Sequence, residues 1–189
     1  MARLPYLDKK DVPPESRDLF KRGLNLYRNL AYSPGAAHSF ENFSKYLRYE
    51  SKLNPRLREL AILQVGYLTR AAYSFYGHIG FVSEQFGVSD DDVGNMIAET
   101  QGKVTSLEPL VRNVLRAARE MTTNITISDS TFAELRRDME KSHLVDLVST
   151  IAFYNAAVRY MRTMEIDIET DRVENYEKYR EIFPLPKGQ

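Results

Sequence analysis

Apolar side chains recur every three or four residues along most of the chain, which is the spacing of one face of an α-helix. No segment alternates between apolar and polar residues over a useful length, and Gly87 is typical of a helix end. The pattern therefore predicts an all-α fold, a helical bundle of about seven or eight helices. The runs predict helices over residues 13–32, 36–50, 54–70, 72–86, 89–97, 107–121, 128–139 and 143–164.

The last of these helices and the segment that follows it differ in character. The helix over 143–164 is apolar on more than one face, which indicates a central position in the bundle. Residues 167–189 form a polar tail. Near its end, Pro184-Leu185-Pro186 favours an extended conformation. The length of the chain favours a single domain over 1–189.

Charge and composition exclude several classes of function. Lysine plus arginine and aspartate plus glutamate number 26 each, so the formal net charge is zero. This balance removes the attraction that drives generic binding to nucleic acid or anionic membranes. The chain has no cysteine, which excludes disulfides, thiolate metal sites and thiol nucleophiles. Its three histidines are widely separated, so we expect no zinc site.

The sequence also lacks the signals of a membrane or secreted protein. No run approaches the eighteen or so apolar residues of a membrane span, and the first residues contain no apolar signal region. We therefore expect a cytoplasmic protein that acts on a small molecule, with neither nucleic acid nor membrane as a partner.

One pair of residues could carry chemistry. Glu59 lies on the strongly apolar helix over 54–70, and His78 lies among aromatic residues on the next helix. If the chain turns back at residues 70–72, their offset along the helix axes is about 6 Å at about 1.5 Å rise per residue. A carboxylate beside an imidazole in an apolar pocket is a proton-transfer pair, in which the carboxylate fixes the tautomer and supports the imidazolium.

Four further side chains are candidates for substrate binding. Arg58 could hold a carboxylate, Tyr73 and Tyr76 could donate hydrogen bonds, and His38 could lie at the rim of a pocket. Each also has an ordinary structural explanation. An arginine near a helix N-terminus is usually solvated or ion-paired, and tyrosines at helical spacing usually belong to the core. A lone Glu and a lone His on apolar helices are likewise most often a surface residue and a core histidine.

Residues 54–98 resemble a known superfamily. The resemblance rests on Arg58-Glu59-Leu60-Ala61 before an apolar run, an aromatic pair before His78, and Gly87-Val88-Ser89 before an acidic capped helix. These features are similar to those of the carboxymuconolactone decarboxylase and alkyl hydroperoxidase D (AhpD) superfamily. In its peroxidase branch a Glu precedes a Cys-x-x-Cys motif by twelve residues, and a His follows four residues after it. Glu59 and His78 match, whereas Ala71 and Ser74 replace the cysteines.

The resemblance implies a cysteine-free member of the superfamily with an AhpD-like helical fold. In the cysteine-free branch the common pattern is Tyr-Glu-Trp-x-x-His, and here Tyr73 and His78 match while Ser74 and Phe75 differ. The dithiol mechanism has neither nucleophile nor resolving thiol in this chain. The carboxymuconolactone decarboxylases themselves usually lack a Glu at the position of Glu59.

The leading hypothesis is a cofactor-free acid–base lyase or isomerase acting on a small oxo acid or lactone, with Glu59 and His78 as its catalytic pair. We expect no metal and no organic cofactor. Two alternatives stay open. One is an AhpD-like protein of the peroxidase family that has lost its redox cysteines, and the other is a non-catalytic oligomeric ligand-binding protein.

We predict a homo-oligomer, a trimer or hexamer as the resemblance implies. The apolar faces of the helix over 143–164 and the aromatic residues of the tail would leave a monomer with exposed apolar surface. Sedimentation at micromolar concentration should show a species several times heavier than 21.8 kDa. A single species of 21.8 kDa would refute the prediction.

Overall fold

Helices account for all the regular structure between residues 2 and 187, the part of the chain that this computed structural model describes. This range contains no strand, so the all-α prediction is confirmed. A π-helical turn, Tyr46–Glu50, continues α2, and short 3₁₀ segments occupy Lys9–Asp11, Pro14–Phe20 and Thr170–Arg172. The ten α-helices are α1 (Asn25–Leu30), α2 (Pro34–Lys45), α3 (Pro55–Leu68), α4 (Ala72–His78), α5 (Phe81–Gln85), α6 (Asp90–Thr100), α7 (Pro109–Asn124), α8 (Asp129–Asp138), α9 (Lys141–Thr163) and α10 (Val173–Ile182).

The core is built around α3. Every residue from Leu57 to Tyr67 is buried, and the helix packs against α4, α6, α7 and α9. Its start is fixed by Asn54, whose side chain accepts hydrogen bonds from the backbone N–H groups of Arg56 and Leu57, and by Pro55 in the first turn. The 23-residue helix α9 lies beside α3 and is buried along much of its length, in keeping with its predicted central position.

A tight turn after α3 brings α4 back against it. Arg70 adopts a left-handed φ of 54° in this turn, and α4 begins at Ala72. The helices meet closely at Gly66, where a Cβ would lie 3.3 Å from the backbone of Phe75. The sequence correctly predicted a helical hairpin with its turn at residues 70–72, and this hairpin positions the two candidate catalytic residues.

Two predicted helices are interrupted. The segment 13–32 forms a 3₁₀ helix over Pro14–Phe20 and then α1, with Gly23 at a φ of 65° between them. The helix predicted over 72–86 stops at His78, because Gly80 has a φ of 82° before α5 begins. Glycine adopts positive φ without steric cost, whereas an α-helix requires negative φ values. Gly87, with a φ of 79°, follows the end of α5.

The polar tail contains an additional helix that the sequence pattern did not predict. Helix α10 packs against α4, and its Tyr179 is buried. The Tyr76 hydroxyl donates a 3.1 Å hydrogen bond to the carbonyl of Phe183, which anchors the end of this helix. Residues 184–187 have no regular structure, and the last two residues of the predicted extended end, 188 and 189, lie outside the described range. No helix among residues 2–187 is long and apolar enough to cross a bilayer.

We predict that Gly80→Ala weakens the docking of the tail. A Cβ at Gly80 would lie 2.9 Å from a ring carbon of Tyr179 and from the side-chain oxygen of Asn175. Gly87→Ala is a matched control, since Gly87 also has positive φ but has nothing within 4 Å of its Cβ position. Urea denaturation should show Gly80→Ala to be less stable than Gly87→Ala by about 1 kcal/mol or more, the scale of overpacking. Equal losses in the two variants would contradict this packing.

Candidate active site

A cavity of about 100 Å³ lies between α1, α2, α4 and α9 and is closed on one side by residues 168–172. That volume accommodates several water molecules or one small ligand. Most of the wall is apolar or aromatic, and polar groups project into it from a few positions. The apolar part of the wall includes Leu26, Tyr27, Phe40, Phe153, Ala157 and Met161.

The imidazole of His78 forms part of this wall and is held from behind by Glu59. The distance from His78 Nδ1 to Glu59 Oε2 is 2.8 Å. An ionised carboxylate can only accept a hydrogen bond, so Nδ1 carries the proton and Nε2 is the ring nitrogen left for a ligand. Glu59 is fully buried and the His78 side chain is 13% exposed. The predicted contact across the hairpin is therefore confirmed, while the catalytic roles of the two residues stay a prediction.

The surroundings keep the Glu59 carboxyl ionised. Burial alone would raise its pKa, but the charge of His78 and the hydrogen bond between them outweigh burial and hold the pKa below its usual value. The guanidinium groups of Arg48 and Arg58 act in the same direction. Glu59 is thus a permanent negative charge at neutral pH, suited to orient the imidazole and to stabilise its protonated form.

Tyr154 and Ser74 complete the immediate neighbourhood of His78. The Tyr154 ring meets the imidazole edge to face, with 5.3 Å between the ring centroids, and burial raises the pKa of its phenol. Ser74 lies one helical turn before His78 and lines the same cavity. It is 3% exposed, and its hydroxyl has no hydrogen-bond partner. The imidazole is therefore fixed by one carboxylate and one aromatic ring.

The four predicted substrate-binding residues lie in different places, and only Tyr73 lines the cavity. Its hydroxyl donates a 2.5 Å hydrogen bond to Glu169, which also accepts one from the backbone N–H of Asn25 and lies 3.9 Å from Arg172. Burial and the nearby Glu169 raise the pKa of Tyr73, so its phenol is neutral. Tyr73 therefore ties α4 to the segment that closes the cavity.

Arg58 and Tyr76 lie away from the cavity wall. The Arg58 guanidinium is buried 3.7 Å from Glu59 and stacks over the ring of Phe86 at 4.7 Å, and burial lowers its pKa. Arg58 therefore neighbours the Glu59 carboxylate and does not line the cavity. Tyr76 instead anchors the end of α10 through Phe183.

His38 lies on the outer side of α2 rather than in the cavity wall. Its Nδ1 is 3.9 Å from Asp18, and one ligand atom from each of Asp18, His38 and Glu41 lies within 4.8 Å of the others. Between residues 2 and 187 these are the only three such side chains placed closely enough to hold a metal ion. Glu41 already has a partner, since Arg22 lies 3.7 Å away. The absence of a metal cofactor stays a prediction.

Sequence reasoning missed Arg48, which lines the cavity from the π-helical turn after α2. From sequence alone, a single arginine near the end of an amphipathic helix is predicted to be a solvated surface residue. Its proximity to Glu59 depends on how α2 packs, which periodicity does not predict.

Part of the chain matches a known family. Residues 34–120 match the model of the carboxymuconolactone decarboxylase family. This segment runs from α2 to α7 and contains both Glu59 and His78, so the superfamily resemblance read from the sequence is confirmed. A search among curated proteins found no significant match.

Several solved structures share the fold of this chain over nearly its whole length. A peroxidase-related protein from Ralstonia eutropha, described as an alkylhydroperoxidase AhpD core, is 17% identical with a TM-score of 0.74, and the match covers 90% of this chain and 93% of that one. A peroxidase-related protein from a Silicibacter species is 21% identical with a TM-score of 0.73, covering 89% and 91%. At these identities the likeness shows the AhpD-like fold.

A third solved structure is that of a cysteine-to-alanine variant of the debrominase Bmp8 in complex with 2,3,4-tribromopyrrole. It is 16% identical to this chain with a TM-score of 0.76, and the match covers 94% of this chain and 99% of Bmp8. Members of this fold therefore include a protein crystallised with a small aromatic ligand.

We predict that the stabilising effect of Glu59 depends on pH. Because the pKa of Glu59 is lowered in the folded protein, its contribution is fully present above the unfolded value of 4.5 and is lost as the pH falls through the folded value. At neutral pH, Glu59→Gln should reduce the free energy of unfolding by about 3 kcal/mol, the low end for breaking a buried ion pair. Denaturation at a series of pH values should show that the difference in the free energy of unfolding between wild type and Glu59→Gln narrows below pH 4.5. A difference that does not depend on pH would contradict an ionised Glu59.

Proposed function

We propose that this protein is a cofactor-free acid–base enzyme, a lyase or isomerase that acts on a small oxo acid or lactone. The observation that supports this most strongly is the 2.8 Å contact between a fully buried Glu59 and the His78 imidazole, whose other nitrogen is free to face an apolar cavity. Such a pair costs stability to bury, and a proton-transfer role accounts for its place in a cavity wall.

In the lyase reaction, a β-oxo or vinylogous acid loses CO₂ as its carbon–carboxylate bond breaks. The bonding electrons pass to the remaining carbon skeleton as an enolate, which must then be protonated. His78 delivers that proton from Nε2, and Glu59 stabilises the imidazolium before transfer and holds the ring in place. In the isomerase reaction the same nitrogen removes a proton from one carbon and returns it to another.

The cavity suits this chemistry because its wall is largely apolar. Electrostatic interactions are stronger away from bulk water, so a proton donor at Nε2 acts effectively on a developing enolate. Tyr73 contributes by holding the segment that closes the cavity through Glu169, and thereby excludes water from the reaction. The proposed enzyme is cytoplasmic and homo-oligomeric, and needs neither metal nor organic cofactor.

The alternatives differ in what the site could do. The peroxidase-related names of the similar structures suggest peroxide chemistry, but Ala71 and Ser74 occupy the positions where the resemblance places the redox cysteines. A protein with this sequence cannot form the disulfide that a dithiol peroxidase requires. A ligand-binding protein without activity would use the same cavity and would tolerate the loss of the His78 imidazole.

Substitution of the pair tests the proposal. With turnover followed as CO₂ release and absorbance change on a panel of β-oxo acids and unsaturated lactones, His78→Gln should abolish activity. Glu59→Gln should lower it by about 10²-fold, the scale of losing a positioned proton-transfer group. His143→Gln is the matched control, because His143 lies in the first turn of α9 and does not line the cavity, and it should retain full activity.

Thermal unfolding and circular dichroism should show His78→Gln to be folded. Retained turnover in folded His78→Gln would contradict the proposal, as would a loss of turnover in His143→Gln of the same size. Reduction of a hydroperoxide by a dithiol would instead support the peroxidase alternative.

A further inference from the structure

The charges around Glu59 do not balance. Two guanidinium groups, those of Arg48 and Arg58, act on this one carboxylate. Arg58 lies 3.7 Å from Glu59 and so forms the ion pair. Among residues 2–187 no carboxylate forms an ion pair with Arg48, and the rings of Tyr49 and Phe86 lie 5.2 and 5.5 Å from its guanidinium. Two guanidinium groups thus face one carboxylate, and Arg48, which is half-buried, is the cation left over even before His78 is protonated.

The Arg48 guanidinium also lacks hydrogen-bond partners. Its Nε is buried and makes no hydrogen bond, although an arginine has five N–H groups to donate. A guanidinium without an anionic partner is poorly compensated in a largely apolar wall, and an anionic ligand in the cavity would pair with its charge. Aromatic rings stabilise a guanidinium through its faces, which leaves its edges available for a planar acceptor.

Arg48 differs in this respect from the other arginines that line the cavity. Arg22 lies 3.7 Å from Glu41, and Arg172 lies 3.9 Å from Glu169. Both are half-buried and already have a carboxylate partner within the fold. Arg48 is therefore the cavity-lining arginine whose charge a bound ligand would neutralise.

From these observations we infer that Arg48 is an anion-binding residue that holds a carboxylate of the ligand in the cavity beside His78. The geometry of a guanidinium fits two oxygens of a carboxylate at once, and the apolar part of the wall, which includes the packed rings of Phe40 and Phe153, suits an apolar body. The ligand class is a small unsaturated or aromatic carboxylate. The link to catalysis rests on the proposed function, whereas binding of the carboxylate can be measured without it.

A carboxylate held by Arg48 also limits which group the reaction can remove. A carboxylate paired with Arg48 is stabilised in the ground state, and that stabilisation disappears if the group leaves as neutral CO₂. Arg48 would thus slow the loss of the carboxylate that it holds. The group bound to Arg48 is therefore one that the product keeps, so a substrate that undergoes decarboxylation carries a second carboxylate, and an isomerised substrate needs only one.

Calorimetric titration with benzoate tests the inference, and benzamide serves as the uncharged probe of the same shape. Wild-type protein should bind benzoate more tightly than benzamide. Arg48→Gln should weaken benzoate binding tenfold or more, because a hydrogen-bonded charge pair is lost, and should leave benzamide binding unchanged. Arg22→Gln, which removes a cavity arginine that already has a partner, should bind benzoate like wild type.

Two further variants distinguish a failure of anion binding from a failure of the proposed chemistry and from a failure of Arg48→Gln to fold. His78→Gln should still bind benzoate, so that loss of turnover with retained binding distinguishes the anion site from the proposed chemistry. Arg48→Lys keeps the charge without the planar fork and should bind with intermediate affinity, which keeps the inference testable if Arg48→Gln does not fold. Equal binding of benzoate by Arg48→Gln and wild type would overturn the inference, and so would a wild-type protein that does not distinguish benzoate from benzamide or binds neither.

Discussion

A carboxylate with no exposure to solvent lies at the centre of this fold, and its contact with one imidazole organises the residues around it. Glu59 comes from α3, which is buried from Leu57 to Tyr67, and His78 comes from the end of α4. Their 2.8 Å contact requires the tight turn at Arg70 and the close helix approach at Gly66. An unpaired carboxylate at this depth would be strongly destabilising. The helix packing that buries Glu59 must therefore also place His78 against it.

The rest of the site supplies what such a pair needs in order to act on a ligand. Helix α9 contributes Tyr154, which restrains the imidazole, and the closing segment is held by Tyr73 through Glu169. Arg48 adds positive charge to the cavity wall from the continuation of α2. Three separate parts of the chain thus line one cavity together with the imidazole, and a small carboxylate there would balance the charge of Arg48.

Sequence patterns predicted the parts of this structure that depend on local chemistry. Helix α3 is marked by Asn54-Pro55 and an unbroken apolar run, and the facing of Glu59 and His78 followed from their distances to the turn. The break at Gly80 was not predicted, because it depends on the approach of Tyr179 from a helix about a hundred residues later. Helix α10 itself was missed, since its buried side consists of a few aromatic residues in a polar segment. Arg48 was missed because tertiary packing alone brings it to Glu59.

The protonation of the His78 ring in solution tests the central claim most directly. Nitrogen-15 NMR of histidine-labelled protein distinguishes Nδ1 from Nε2 and shows which of them carries a proton. If Glu59 holds the imidazole as described, Nδ1 of His78 is protonated throughout the neutral range, its proton exchanges slowly with water, and that protection is lost in Glu59→Gln. A bare Nδ1 with the proton on Nε2, or a fast-exchanging ring identical in wild type and Glu59→Gln, would contradict the account.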